Sequence, residues 1–207
     1  MQFAVENSKE KSVKQREIEL WISRNKLPDT MKMEVKENTQ SILLEENQDV
    51  DTEKLLHHLS INLQQEIKQH LCLPLLKKVP NLERQSDTLL QLICNYLKPV
   101  SYNEDSYIVR QGEPLDRLLL FTQGIAWKFT TTIRRGTVSS SQGESIENGH
   151  FIGEALLVWG YNSSSLSNLP TSPHTVKTHT KVEAFALMAK DLKDLKTLVS
   201  GAALAII

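Results

Sequence analysis

The apolar residues of this chain change period near Pro99. Upstream they recur at helical spacing. Downstream they gather in short runs rich in β-branched and aromatic residues, separated by glycines. One regular element cannot serve both patterns, because helical side chains return to a face every 3.6 residues and strand side chains every two. A helical part followed by a β part is therefore expected. Ile18, Trp21 and Ile22 mark a first helix, stopped by Leu27-Pro28-Asp29. Asp29 is placed to cap a second helix, with Met31, Val35 and Ile42 weakly periodic through residue 44. Polar ENQDVD (46–51) reads as a connector, and Leu55, Leu56 and Leu59 mark a short third helix. Asn62 and Gln65 have the form of a capping pair, and Leu63, Ile67 and Leu71 then line one face. Ser86 or Asp87 opens another helix with Leu89, Leu90, Ile93 and Leu97 on its buried side, and Pro99 ends it.

In the second part YIVRQGEP, LLLFTQG, WKFTTTI and VEAFALM read as strands. Gly112, Gly124, Gly136, Gly143 and Gly149 punctuate them with the beat of an antiparallel roll or barrel. SSSQGES (139–145) reads as a hairpin tip, GYNSSSLSNLPTSP (160–173) as a long loop, and AKDLKDLKTLVS as a closing helix. The expected fold class is α+β, with a disordered tail over 1–15, helices over 16–85, an antiparallel β-roll of jelly-roll type with flanking helices over 86–198, and an irregular tail over 199–207.

Composition removes several function classes. With 24 Lys and Arg against 25 Asp and Glu, and no basic excess in either part, nucleic acid is not an expected partner. No apolar run approaches the length of a membrane span, and the N-terminus lacks the apolar core of a signal peptide. Cys72 and Cys94 sit within apolar helical patterns and read as core residues. His57-His58 would face different ways on a helix, and no Cys or carboxylate pattern completes a metal site with them. No nucleophile–base pair or carboxylate dyad shares an element, so catalysis is not expected.

The stretch FIGEALLVWG (151–160) carries the chemistry. Gly153 permits a tight turn into a helix whose first N–H groups lack intrahelical partners, and such an end attracts anions. Glu154 would repel a phosphate and suits a hydroxyl instead. Together with ENGHFIGEALL and TVKTHTKVEAFAL, the cassette resembles a cyclic-nucleotide-binding domain. ELWISRNKLP, HLSINLQQEIKQHLCLPLLKKVPNL and NLPTSPHTVKTHTKVEAFAL are similar to the linker helices and ligand loop of plant cyclic nucleotide-gated ion channels, over roughly residues 16–198.

The resemblance implies the cytosolic part of such a channel subunit, without its pore, on the inner side of the plasma membrane; this chain alone would be cytoplasmic. The ligand would be cAMP or cGMP, with no other cofactor. Amides of Ala155 and Leu156 would meet its phosphate, Glu154 its 2′-hydroxyl, with Gly153 supplying the turn. The family places an arginine and a threonine against the phosphate; here His174 and Thr175 stand at those positions. A histidine lacks the permanent charge and planar fork of arginine, so weak binding is expected. Gly149-His150 likewise stands where the family commonly has Gly-Asp. Other channel subunits, in a tetramer, are the implied partners. Calmodulin is a partner in the family, but its segment and the nucleotide-covering lid are not expected to be complete by Ile207. A soluble nucleotide-binding regulator and a degenerate, non-sensing channel paralogue are the alternative readings.

Overall fold

The structure, a computed structural model, describes residues 2–40, 43, 52–134, 137–140, 143–162 and 165–199. Two compact units are present, Met1–Leu71 and Cys72–Ile207. Their boundary lies within a helix, upstream of the expected change of part at residue 85.

The first unit is helical. Helix α1 spans Gln2–Arg24, so residues expected as a disordered tail form its first turns. Residues 2–24 contain no glycine or proline and are rich in Lys, Glu and Gln, so extending the helix upstream costs little. Helix α2 is Asp29–Asn38. Its N-cap is Pro28 and no side chain caps it, so Asp29 opens the first turn instead and favours the dipole there. The expected continuation to residue 44, with Ile42, and the connector over 46–51 fall almost wholly outside the described residues.

Helix α3 is Thr52–His57 and α4 is Ile61–Leu76. Ser60, rather than Asn62, receives the Leu63 amide at 3.3 Å, because the hydroxyl must sit before the first helical residue to reach the third. Ile18, Trp21, Ile22, Val35, Leu55, Leu56, Leu59, Leu63 and Ile67 are all buried. Trp21 Nε1 donates to Thr52 Oγ1 at 2.8 Å, which satisfies an indole N–H that burial removes from water.

The second unit holds the roll. Helix α5, Asp87–Tyr96, starts at Ser86, whose side chain accepts from the Leu89 amide. Ten strands follow: β1 Lys98–Tyr102, β2 Tyr107–Val109, β3 Arg117–Gln123, β4 Ala126–Phe129, β5 Thr131–Arg134, β6 Thr137–Ser140, β7 Glu144–Ile146, β8 Phe151–Ile152, β9 Thr175–Thr178 and β10 Val182–Met188. Helix α6, Ala155–Asn162, and helix α7, Ala189–Val199, complete the unit. One sheet runs β1-β10-β3-β8 and a second β2-β9-β4-β7, with β5-β6 as a separate ribbon, all antiparallel.

This is the expected α+β class, a β-roll with flanking helices. SSSQGES is not a hairpin tip, because β6 pairs with β5 while β7 pairs with β4. The expected irregular tail lies outside the described residues beyond Val199, which ends α7. Phe121 and Phe185 are fully buried, and the core joins Leu119 and Phe121 of the first sheet to Ala126, Ile146 and Val176 of the second and to Leu156 of α6.

Replacing Thr52→Val should leave the Trp21 N–H buried without its hydroxyl acceptor, at a cost of about 1–3 kcal/mol. Urea unfolding followed by tryptophan fluorescence measures it, and an unchanged midpoint would show that the bond contributes nothing.

Candidate functional site

The Gly153 turn is built by close approach of backbones. Its φ is +90°, and a Cβ there would lie 2.4 Å from the Arg117 carbonyl oxygen. Only glycine fits both conditions. Immediately before it, β8 pairs with β3 through Leu119↔Ile152 and Leu120↔Phe151, so the start of α6 is pinned to a central strand. Leu156 is buried in the core shared with Val176 of β9.

The amides divide differently from the expectation. Leu156 donates to the Gly153 carbonyl and Leu157 to the Glu154 carbonyl, each at 3.0 Å. These bonds span three residues and tighten the first turn, so the Leu156 N–H is already engaged. Ala155 and Glu154 are exposed. Neither the Ala155 N–H nor the Glu154 carboxylate has a partner among the described residues, which leaves one donor and one acceptor side by side.

His174 and Thr175 enter β9 through a network that sequence reading missed. The His174 Nδ1 shares a hydrogen bond with Thr130 Oγ1 at 2.7 Å. Thr175 is buried, and its Oγ1 accepts from the Gln111 N–H at 3.0 Å, while Gln111 Oε1 accepts from the Thr131 N–H at 2.8 Å. Ser172 Oγ donates to the His174 carbonyl at 2.6 Å. Backbone bonds from Gly112 to Ser172, Ser172 to Glu113 and Leu115 to Pro170 fasten residues 170–175 against 111–115. Gln111, Thr130 and Ser172 carried no signal, since the partners of Gln111 and Thr130 are distant in sequence and their residue types are ordinary in loops. The polar QG in YIVRQGEP and the Ser-Pro before His174 are the only hints.

Charges around this point are arranged in pairs. Lys128 bonds Glu144 at 2.6 Å and holds its carboxyl below the usual range, with smaller contributions from His150 and His174. Lys177 bonds Asp105 at 2.8 Å and lowers that carboxyl, so its ammonium is directed toward Asp105. A cavity of about 210 Å³ beside the Gly153 turn is lined by Ile108, Leu115, Leu119 and Ile152 with Glu113 and Arg117 at its polar side. None of the expected site residues lines it, and its volume is below the range of about 300–1,000 Å³ usual for ligand pockets.

Gly153→Ala combines positive φ with a clash against fixed backbone, whereas Gly112→Ala has φ +84° and open space. The first should destabilise by about 2–4 kcal/mol and the second by about 1–2 kcal/mol. Equal losses in denaturant midpoints would show that the approach to Arg117 relaxes freely.

No family model matches the chain. Among curated proteins, it is 40% identical over 193 residues to cyclic nucleotide-gated ion channel 1 of Arabidopsis thaliana, covering 93% of this chain and 26% of that protein. It is 39% identical over 184 residues to putative cyclic nucleotide-gated ion channel 13 of the same plant, covering 89% and 26%. The chain therefore spans about a quarter of the length of the curated relatives it matches. Among solved structures, the cNMP-binding domain of an Arabidopsis thaliana cyclic nucleotide-regulated ion channel matches at 40% identity and TM-score 0.49, over 59% of this chain and 88% of that one. The N-terminal domain of a transcriptional regulator from Streptomyces coelicolor shares the fold at 20% identity and TM-score 0.50, over 64% of this chain and 84% of that one. An α+β roll, a glycine turn pinned to β3 and sequence identity near 40% over about nine-tenths of the chain agree: the homologues of this chain are plant cyclic nucleotide-gated ion channels.

Proposed function

We propose that this chain is the cytosolic regulatory part of a cyclic nucleotide-gated cation channel subunit. Residues 16–85 serve as the linker and 86–198 as the nucleotide-binding roll. The observation that carries this reading is the exposed pair of Ala155 N–H and Glu154 carboxylate at the Gly153 turn, one suited to a cyclic phosphate and the other to a ribose hydroxyl. Thr175 accepts from Gln111 through its oxygen and keeps its O–H proton to donate to a ligand. His174, tied to Thr130 through Nδ1, leaves Nε2 to meet an anion.

Binding in this arrangement is weak. Imidazole replaces the bidentate guanidinium that the family places against the phosphate. Coupling to a pore requires different ligand affinities in two channel states, so a weak site transmits little. That favours a second reading, a subunit that assembles with others and senses poorly. The described residues contain no helix long and apolar enough to cross a membrane, so placement at the plasma membrane depends on the rest of a channel or on its partners.

His174→Arg should tighten binding of cAMP and cGMP by roughly ten- to a hundredfold, the worth of a charge-assisted hydrogen bond. Glu154→Ala should weaken whatever binding the parent chain shows. Calorimetry with cAMP and cGMP on the parent and both variants decides the matter. Equal, tight binding by the parent and the arginine variant would remove His174 from the site.

Assembly is assigned to the helical unit. Val13 is 57% and Leu20 43% exposed on α1, while Ile18, Trp21 and Ile22 are buried. That leaves apolar side chains off the buried stripe, available to a neighbouring subunit. Light scattering should show concentration-dependent self-association of the chain, abolished by Val13→Asp with Leu20→Asp. A monomeric parent chain at high concentration would contradict the assignment.

A further inference from the structure

His174 stands in the bend just before β9 and is held there at three points. Ser172 Oγ donates to its carbonyl at 2.6 Å and accepts from its N–H at 3.4 Å. The ring is held separately, with Thr130 Oγ1 2.7 Å from Nδ1. Strand register accounts for that third contact. Strands β4 and β9 pair through Ala126↔Thr178, Trp127↔Lys177, Lys128↔Val176 and Phe129↔Thr175. One more step of the same antiparallel register sets Thr130 opposite His174. Directly opposed residues keep their Cβ atoms about 4.5–5.5 Å apart, which a hydroxyl and an imidazole can bridge.

The two chains meeting here are fastened without the Thr130 hydroxyl. Thr131 donates its N–H to Gln111 Oε1 at 2.8 Å, and the Gln111 N–H donates to Thr175 Oγ1 at 3.0 Å. The residue after Thr130 and the residue after His174 are thus both tied to Gln111. What remains for the Thr130 hydroxyl to govern is the imidazole ring.

The position of the shared proton decides what that ring can do. In a neutral imidazole one nitrogen donates and the other accepts. Were Nδ1 to donate to Thr130, Nε2 would present a lone pair, which repels an anion. Were Thr130 to donate, the ring proton would sit on Nε2. A separation of 2.7 Å is the ordinary length for a hydroxyl donor and the short limit for an N–H donor.

We propose that Thr130 is a positioning residue for His174: its O–H donates to Nδ1, fixes the ring, and leaves Nε2–H as the donor to an anionic phosphate oxygen. The ring then offers a phosphate one hydrogen bond without carrying a charge, where arginine would offer two from a charged fork. The ligand assigned to Nε2 rests on the nucleotide reading above; the hydrogen bond to Nδ1 does not.

The test is made on the full chain labelled with nitrogen-15, at about pH 8, where an imidazole of reference pKa about 6.5 is neutral. Long-range nitrogen–proton correlations identify which ring nitrogen carries the proton. The parent should show Nε2 protonated and Nδ1 as a hydrogen-bonded acceptor. Thr130→Val keeps the β-branched shape and removes the hydroxyl. Its Nδ1 resonance should move toward that of an unbonded imine nitrogen. Binding of cAMP, followed at the Ala155 amide, should weaken roughly three- to tenfold, the worth of one neutral hydrogen bond. Thr130→Ser should restore both, and the Gln111 amide should stay in place throughout. A proton on Nδ1 of the parent would overturn the proposal. So would a valine variant that binds cAMP as the parent does, or one whose Gln111 amide moves and whose loss serine does not repair, since that marks a merely structural residue. Absence of cAMP binding by every protein at millimolar concentration would overturn the nucleotide reading and the purpose of Thr130 with it. The ring spectra of the free chain tell that failure from the others.

Discussion

A single backbone contact fixes the position of the candidate site. The chain at Gly153 passes so close to the Arg117 carbonyl that no side chain fits between them. Strand β3, which carries Arg117, lies between β10 and β8 in its sheet. The start of α6 is therefore referenced to the centre of the roll rather than to a surface loop. Everything argued for Glu154 and Ala155 depends on that placement, since a donor and an acceptor serve a ligand only where their geometry is held. The second half of the site is held by different means. His174 and Thr175 are fastened by a set of loop hydrogen bonds through Gln111, Thr130 and Ser172.

Next to the Gly153 contact lies a polar cluster at the start of β3. Arg117 bonds Asp116 through two nitrogens, at 2.7 and 2.6 Å. That bonding lowers the Asp116 carboxyl, and burial raises the Tyr102 phenol beside it. A lowered carboxyl contributes stability that is present above the ordinary carboxylate range and is lost as pH falls through its folded value. Asp116 is half exposed, so solvent screening keeps this contribution at or below about 1 kcal/mol. The cluster orients Arg117 locally; the apolar core supplies the larger stabilisation.

Much of the fold was legible because hydrophobic period is a local property. The switch near Pro99, the Ser86 cap and the strands β2, β3 and β10 could be read from neighbouring residues. Strand β1 was hidden by Pro99, read as a helix stop. It stands there because β1 is an edge strand paired only with β10, where a missing N–H is tolerated. The first turns of α1 were read as disordered because residues 1–15 lack an apolar stripe, although they also lack any helix breaker. At the site, Gly153 and Glu154 were legible from the cassette itself. The engagement of the Leu156 amide was not, since a tightened first turn leaves no mark in residue type. Nor were the partners of His174 and Thr175, which the fold brings in from distant strands and loops.

A nucleotide held as proposed lies at the α6 turn and the start of β9. Nitrogen–proton correlation spectra of the chain, recorded while cAMP is added, test that placement residue by residue. The largest movements are expected at the amides of Glu154 and Ala155 and at His174 and Thr175, with Ala155 moving downfield as its N–H takes up a phosphate oxygen. The Leu156 amide, already bonded to Gly153, should move less. Shifts confined to residues away from the α6 turn and the start of β9, or no shifts at millimolar nucleotide, would contradict the assignment.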